Sequence, residues 1–562
     1  MTIRVFRAAV LSAAAALALP LALPAQNFGF PQRLQFYPGN LVVSRSVYDN
    51  NPNNVTVGEE LPPNCVQSTG SCATATNNGR YPSVFNNDLA DSSFGITSRI
   101  YLDQMTPWGW PLGTLEVPNS LERGVNSHRD QLVTSFSSKS EMALNLSTDG
   151  RYITFMGYVA PANAIDISNS NTPAVGDDTN PVSSIAYRAV ARMDAFGNFT
   201  FTETNAYSGN NGRAAILNDS QGANVYYAAG NAGNGGNPQP LGVDLGAGAQ
   251  FIAPSDEPEA DQNPPQDPAP LGSFSITQLG FPADKIGKDD NFRGLTIFNN
   301  VVYFTKGSGG NGDNTVYFVD TTGTACPNGT GLPAAGATLP TQPLSYVAAD
   351  VLNNGLPSNM CVLSGFPVTS NKNKATPPVN FPFGVWFANA NTLYVADEGD
   401  GTATYDSASN TYTDAAGQTL AGLEKWVYNA TTHSWSLAYT LTNGLRLGTP
   451  YTVWGYPTGT NAATGLPWSP ATDGLRNLTG KVNADGTVTL WAITSTVSGS
   501  GDPGADPNKL VVITDHLSNS TAAQAANERF FTLRTAGFGE VLRGVAFAPG
   551  TGVADRDHDG GR

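Results

Sequence analysis

Charge is what the sequence has least of. Asp, Glu, Lys and Arg make up 13% of the 562 residues, about half the ~25% of an average soluble protein. A coiled coil or a helical bundle, which needs charged outer faces, is excluded. The charge present leans acidic, with a net of −16, so a basic nucleic-acid-binding surface is excluded too. Cysteine and histidine number four each, and no CxxC spacing points to a zinc ribbon or a redox site. No GxSxG elbow signals a hydrolase nucleophile. After residue 25 no apolar run is long enough to span a bilayer, and no long segment repeats apolar residues at the helical period. Glycine and proline are abundant instead, at 60 and 39. With 40% hydrophobic and 10% aromatic residues the chain has enough apolar surface to bury a core rather than stay disordered. These features describe a turn-rich, weakly charged, acidic β protein.

The first residues read as an export signal: Arg4 and Arg7, the Ala/Leu-rich stretch Ala8 to Leu23, and small Ala25 before Gln26. Residues 1–25 are therefore expected to be cleaved, leaving one domain over 26–552 and an acidic tail over 553–562. The product is expected to be secreted or periplasmic, without a membrane span, and monomeric. Its cysteines fit an oxidising compartment, and of the three possible pairings 65–72 and 326–361 are favoured, each stapling a loop. Cys65 and Cys72 lie in a polar segment; Cys326 and Cys361 flank a Gly/Pro-rich insertion.

Short β-branched and aromatic runs recur in a fixed order of four, bounded by Gly, Asn, Asp and Pro. The unit is clearest at 381–442, where FPFGVWFANA, TLYVADEG, GLEKWVYNATTH and SWSLAYTLTNG follow one another. It returns at 141–206, 212–280, 292–320 and 474–537, with the fourth strand at 292–320 unclear. The ends are complementary. EVLRGVAFAPG supplies a first strand with nothing after it, and GNLVVSRSV, ITSRIYLDQM and GTLEVPN supply a second, third and fourth with nothing before them. Four-strand units that cannot bury both sheet faces alone predict a β-propeller closed by strands from both termini. Six blades are counted, with room for a seventh in 321–380.

Turns between first and second strands are tight (STDG, NDSQG, FNN, ANAN, NADG), whereas insertions fall between strands two and three: 48–95, 160–184, 229–250, the stretch from Gly307, 399–420 and 498–508. All six belong to one expected face, which marks the working mouth of the channel. Arg213, Arg293, Arg476 and Arg543 begin first strands at that mouth and suit a carboxylate, sulfate or phosphate group. Asp290, Asp473 and Glu540 stand just before three of them, so pairing between blades is the alternative. Lys306, Asp397, Glu398 and Asp400 end second strands at the same rim, where Ca²⁺ held by carboxylates is a further possibility.

The segment FPFGVWFANANTLYVADEGDG resembles the NHL repeat, whose blades run from Pro-x-Gly to Leu-Tyr-Val-Ala-Asp. GNLVVSRS, LSTDGRYITFMGY and LRGVAFAP are similar to blocks of a group of secreted bacterial propeller proteins without assigned activity. The NHL resemblance implies six blades and a turn-ordering role for Asp397. Gluconolactonase- and regucalcin-type propellers hold one channel metal with Glu, Asn and Asp. Resemblance to them would give Glu141, Asp290, Asp397, Glu398 and Asp473 as Ca²⁺ ligands. Two readings result. One is a secreted propeller binding an extracellular glycan, or another anionic small molecule or protein, at the looped mouth. The other is a metal-assisted hydrolase or lyase with its site in that mouth.

Overall fold

The computed structural model describes residues 34–54, 60–61, 73–74, 95–121, 131–136, 138, 141–165, 167–173, 182–231, 248–255, 269–272, 291–307, 313–326, 328–342, 344, 359–370, 380–462, 464–500 and 504–552. Within them the chain forms six antiparallel sheets arranged as a six-bladed propeller, with one short α-helix at Thr413–Gly417. Blade 1 is built from both ends of the chain, in the order Glu540–Phe547, Leu41–Val47, Thr97–Met105 and Pro111–Glu116. Its closure is in register: Leu41 opposes Phe547, Val42 opposes Ala546 and Val43 opposes Val545. Leu41–Val47 pairs Thr97–Met105 along its other edge, so its pairing with Glu540–Phe547 covers the edge that would otherwise stay open.

Blade 2 runs Asn145–Leu146, Ile153–Tyr158, Arg188–Met193 and Phe199–Thr204. Blade 3 runs Gly212–Asn218, Val225–Gly230, Ala249–Ile252 and Ala269–Gly272. Blade 4 runs Leu295–Phe298, Val301–Lys306, Asp313–Val319 and Met360–Leu363. Blade 5 runs Pro382–Asn389, Thr392–Asp397, Gly422–Asn429 and Ser434–Leu441, and blade 6 runs Ala471–Val482, Thr487–Val497, Lys509–His516 and Phe531–Thr535. The possible seventh blade in 321–380 is instead the fourth strand of blade 4, which pairs Tyr317 with Val362 after a long excursion. A disulfide between Cys326 and Cys361, Cα atoms 5.9 Å apart, ties that excursion to its strand. The pair expected between Cys65 and Cys72 lies outside the described residues, as do the segments 1–25 and 553–562. The fourth strand of blade 3 is Ala269–Gly272; FSITQLG, the expected one, also lies outside the described residues.

Apolar layers fill the junctions between blades, one of them continuous from blade 6 through blade 1 to blade 2. Between blades 4 and 5 the layer holds Tyr303, Phe318, Phe387, Leu393, Trp426 and Trp435; between 3 and 4 it holds Tyr227, Phe251, Phe292, Phe304 and Tyr317. The inner strands approach so closely that side chains are barred at some points. A Cβ on Gly294 would lie 2.0 Å from the Phe383 carbonyl oxygen, and one on Gly544 2.5 Å from the Met142 carbonyl oxygen. The Arg-Gly pairs of FRGL and LRGVAF thus mark where blades touch near the axis.

Connections between strands two and three, and from blade to blade, leave one face, including 398–421, 442–470 and 498–508. The opposite face carries the one–two turns and the three–four connections. It is not uniformly trimmed, since the three–four connection of blade 4, described over 320–326 and 328–342, leaves the sheet there.

Candidate functional site at the channel mouth

The four mouth arginines are all 4% exposed or less, so each must be accounted for by what it touches inside. Arg543, within the closing strand, donates to the carbonyls of Ser138 and Phe136 and, at 3.3 Å, to Ser46 Oγ. It joins blade 1 to the 117–144 connection. Arg476 Nε lies 3.2 Å from Glu398 Oε2 and bridges blades 6 and 5. Arg293 stands 5.8 Å over the ring of Phe383, from the next blade. Arg213 bonds Asn291 Oδ1 and, at 3.2 Å, the Phe292 carbonyl.

The carboxylates adjacent in sequence do not do the pairing. Glu540 bonds Arg45 at 2.6 Å rather than Arg543. Asp473 accepts from the Gly401 N–H at 2.9 Å and the Gln418 amide at 2.7 Å rather than from Arg476. Asp290 lies outside the described residues. A carboxylate three residues ahead of an arginine on a strand points to the opposite face, because side chains alternate across the sheet.

Arg213 differs from Arg476, which has Glu398 beside it. No carboxylate lies within ion-pair distance of the Arg213 guanidinium, and its Nε is buried without a hydrogen-bond partner. Burial pushes its pKa well down, the nearby Arg293 charge adds to this, and Glu141, Tyr158 and Glu398 act in the other direction from a distance. Glu141 is buried and accepts from Thr134 Oγ1 at 2.5 Å, from the Ser135 N–H at 3.0 Å and from the Tyr158 hydroxyl. Burial first, then the Glu141 charge, holds the Tyr158 hydroxyl far above its usual range.

Above Tyr158, 5.3 Å from its ring, sits Arg188, fully buried and bonded to carbonyls of Ser168, Ala186 and Asn210. Burial lowers Arg188 to about 10. Arg188 and Tyr158 were not among the residues expected from sequence. AYRAVARM reads as an ordinary third strand, and only a charged residue among its apolar neighbours was available as a signal.

Across the mouth lies an acidic group. Asp397 accepts from the N–H groups of Phe381 (2.6 Å) and Gly399 (2.9 Å), which orders the turn after the second strand of blade 5. Burial pushes Asp397 and Asp473 each up to about 7. Lys306 is buried at the end of its strand, with Nζ 3.3 Å from Asn314 Oδ1. Among the described residues, one trio of metal-ligating type converges within 4.8 Å, Asp320 with Cys326 and Cys361. Both of its sulfurs are in the disulfide, so it offers no thiolate. Glu141 is on the blade 2 side, apart from Asp397, Glu398 and Asp473 on blades 5 and 6.

No protein-family model matches the chain, and no curated protein matches it. Solved structures similar to it include an ulvan lyase of polysaccharide lyase family PL25 bound to -[GlcA(1-4)Rha3S]-, and a second structure described as a PL25 ulvan lyase. Each shows 11% identity over 91% of this chain and 98% of the other, with a TM-score of 0.29. At that level the likeness does not extend to the residues of a site.

One exposed aromatic at this mouth was also missed. Trp454, 93% exposed, projects from the 442–470 connection between blades 5 and 6. The sequence VWGYP around it resembles any apolar turn, and no insertion between strands two and three drew notice to it.

Proposed function

We propose that the chain is an exported, NHL-like propeller that binds an anionic extracellular glycan at the looped mouth of its channel. In this reading residues 1–25 direct export and Arg213 anchors an acidic group of the ligand. The observation that carries it is the state of that guanidinium, buried with no carboxylate within reach and one N–H unsatisfied. A buried charge left in this condition costs stability, and a sulfate or carboxylate entering the channel supplies the missing countercharge in a bidentate geometry. Trp454 offers a flat apolar face on the same rim for a sugar ring. Arg293, Arg476, Arg543 and Lys306 extend positive potential along the mouth.

The test compares Arg213→Met with Arg543→Met on an array of sulfated, phosphorylated and uronate-containing glycans, with urea unfolding in parallel. Arg213→Met should abolish binding while leaving stability equal or higher. Arg543→Met should lower stability, because it strips donors from the Ser138 and Phe136 carbonyls. Binding by Arg213→Met at the parental level would overturn the reading. Melting with and without EDTA, followed by Ca²⁺ addition, tests the metal-dependent hydrolase or lyase: a reversible drop would favour it.

A further inference from the structure

The other end of the channel contains a second pocket with a different chemistry. It has a volume of about 370 Å³ and is lined by inner strands of all six blades together with the one–two turns at Thr148, Ser220 and Asn299–Asn300. That size falls within the ~300–1,000 Å³ of small-molecule sites. It opens on the tight-turn face, below the level at which Asn477 Nδ2 reaches across to the Arg543 carbonyl at 2.7 Å. Among the described residues that line it none is ionisable, although the opposite mouth holds four arginines and several carboxylates.

The wall nevertheless carries polar groups without protein partners. The hydroxyls of Thr296 and Thr479, the indole N–H of Trp386 and the side-chain amides of Asn299 and Asn300 make no hydrogen bond within the protein. Asn145 gives its Nδ2 to the Ala215 carbonyl at 3.3 Å and keeps its Oδ1 for the cavity. Thr296, Thr479, Trp386 and Asn145 are half-buried and line the pocket. Asn299 and Asn300 hold their positions through consecutive left-handed backbone angles, φ of 47° and 60°, which fix the tight turn at the lip.

We infer that this pocket binds a small neutral saccharide, independently of the anionic ligand at the looped mouth. A charged ligand would give up its hydration for walls with no countercharge. A wholly apolar ligand would strand the hydroxyls and amides. A neutral sugar satisfies both constraints, setting its C–H face against Trp386 and the apolar inner strands while its hydroxyls meet Thr296, Thr479 and the asparagines.

Saturation-transfer NMR with the full-length exported protein and a panel of neutral mono-, di- and trisaccharides of hexoses, pentoses and N-acetylhexosamines provides the test. Calorimetry of the best binder follows, with its uronate counterpart as control. At least one neutral sugar should bind and its uronate should not. Thr296→Val with Thr479→Val, isosteric changes, should weaken binding about tenfold or more for two lost hydrogen bonds, with an unchanged unfolding midpoint. Arg213→Met should leave this binding intact, which separates its failure from failure of the mouth assignment. Absence of saturation transfer across the panel, equal binding of the uronate, or retention within twofold in the double variant would each overturn the inference.

Discussion

A single side chain ties the closing strand of blade 1 to blade 6. Asn508, 1% exposed at the start of the third strand of blade 6, faces the closing strand. Its Oδ1 accepts from the Leu542 N–H at 2.8 Å, and its Nδ2 donates to the Leu542 carbonyl at 2.9 Å and to the Thr494 carbonyl at 3.1 Å. The amide thereby acts toward Leu542 as a neighbouring strand would. Asn508→Ala removes three hydrogen bonds and orphans a buried N–H and C=O, each worth about 1–3 kcal/mol. Allowing for water entering the gap, the expected loss is about 3 kcal/mol, or roughly a hundredfold in the closure equilibrium. Urea unfolding measures the loss, and hydrogen exchange of Glu540–Phe547 locates it. Protection there should collapse first, while blades 3 to 5 keep theirs. A loss below about 1 kcal/mol, with protection of the closing strand unchanged, would refute the reasoning.

Lys425 is wholly buried, 2.9 Å from Asp515, with Tyr439 and three carbonyls completing its shell. Lys425→Met should cost about 3–5 kcal/mol by isolating the Asp515 charge, and adding Asp515→Leu should recover part of it, as read by urea midpoints. Asp397 and Asp473 titrate near 7 when folded against an ordinary value of 3.8. The native state therefore binds the extra protons, and stability falls as pH rises from about 4 to 7. Unfolding midpoints across that range should show the decline, and Asp397→Asn with Asp473→Asn should flatten it. Cutting the Cys326–Cys361 link, which spans 35 residues, by Cys326→Ser with Cys361→Ser should cost up to about 4 kcal/mol. The loss should appear as faster proteolysis of the 320–359 connection.

The fold was legible because its evidence is local and periodic. The order of strand runs in FPFGVWFANANTLYVADEG, and the unmatched LRGVAFAP and GNLVVSRS at the two ends, require only that every strand find an edge. Blade 4 was harder to read, since its fourth strand follows an excursion anchored by Cys326 and Cys361. The mouth was legible as a place but not as a set of contacts. The four arginines are buried on or beside first strands, and Arg476 bonds Glu398 rather than the nearby Asp473, a choice made by strand pleat and blade packing. The uncharged pocket was invisible in the chain because Thr296, Thr479 and Trp386 come from three different blades. Nothing in the spacing of these residues says that they share a wall.

The order of synthesis conflicts with the order of assembly. Leu41–Val47 leaves the ribosome long before its partner, Glu540–Phe547, so blade 1 waits until the five blades between them have been made. Throughout that interval an apolar strand edge stays open to strangers. Anything that holds the nascent polypeptide extended until the closing strand arrives protects this topology from the mispairing its own design invites.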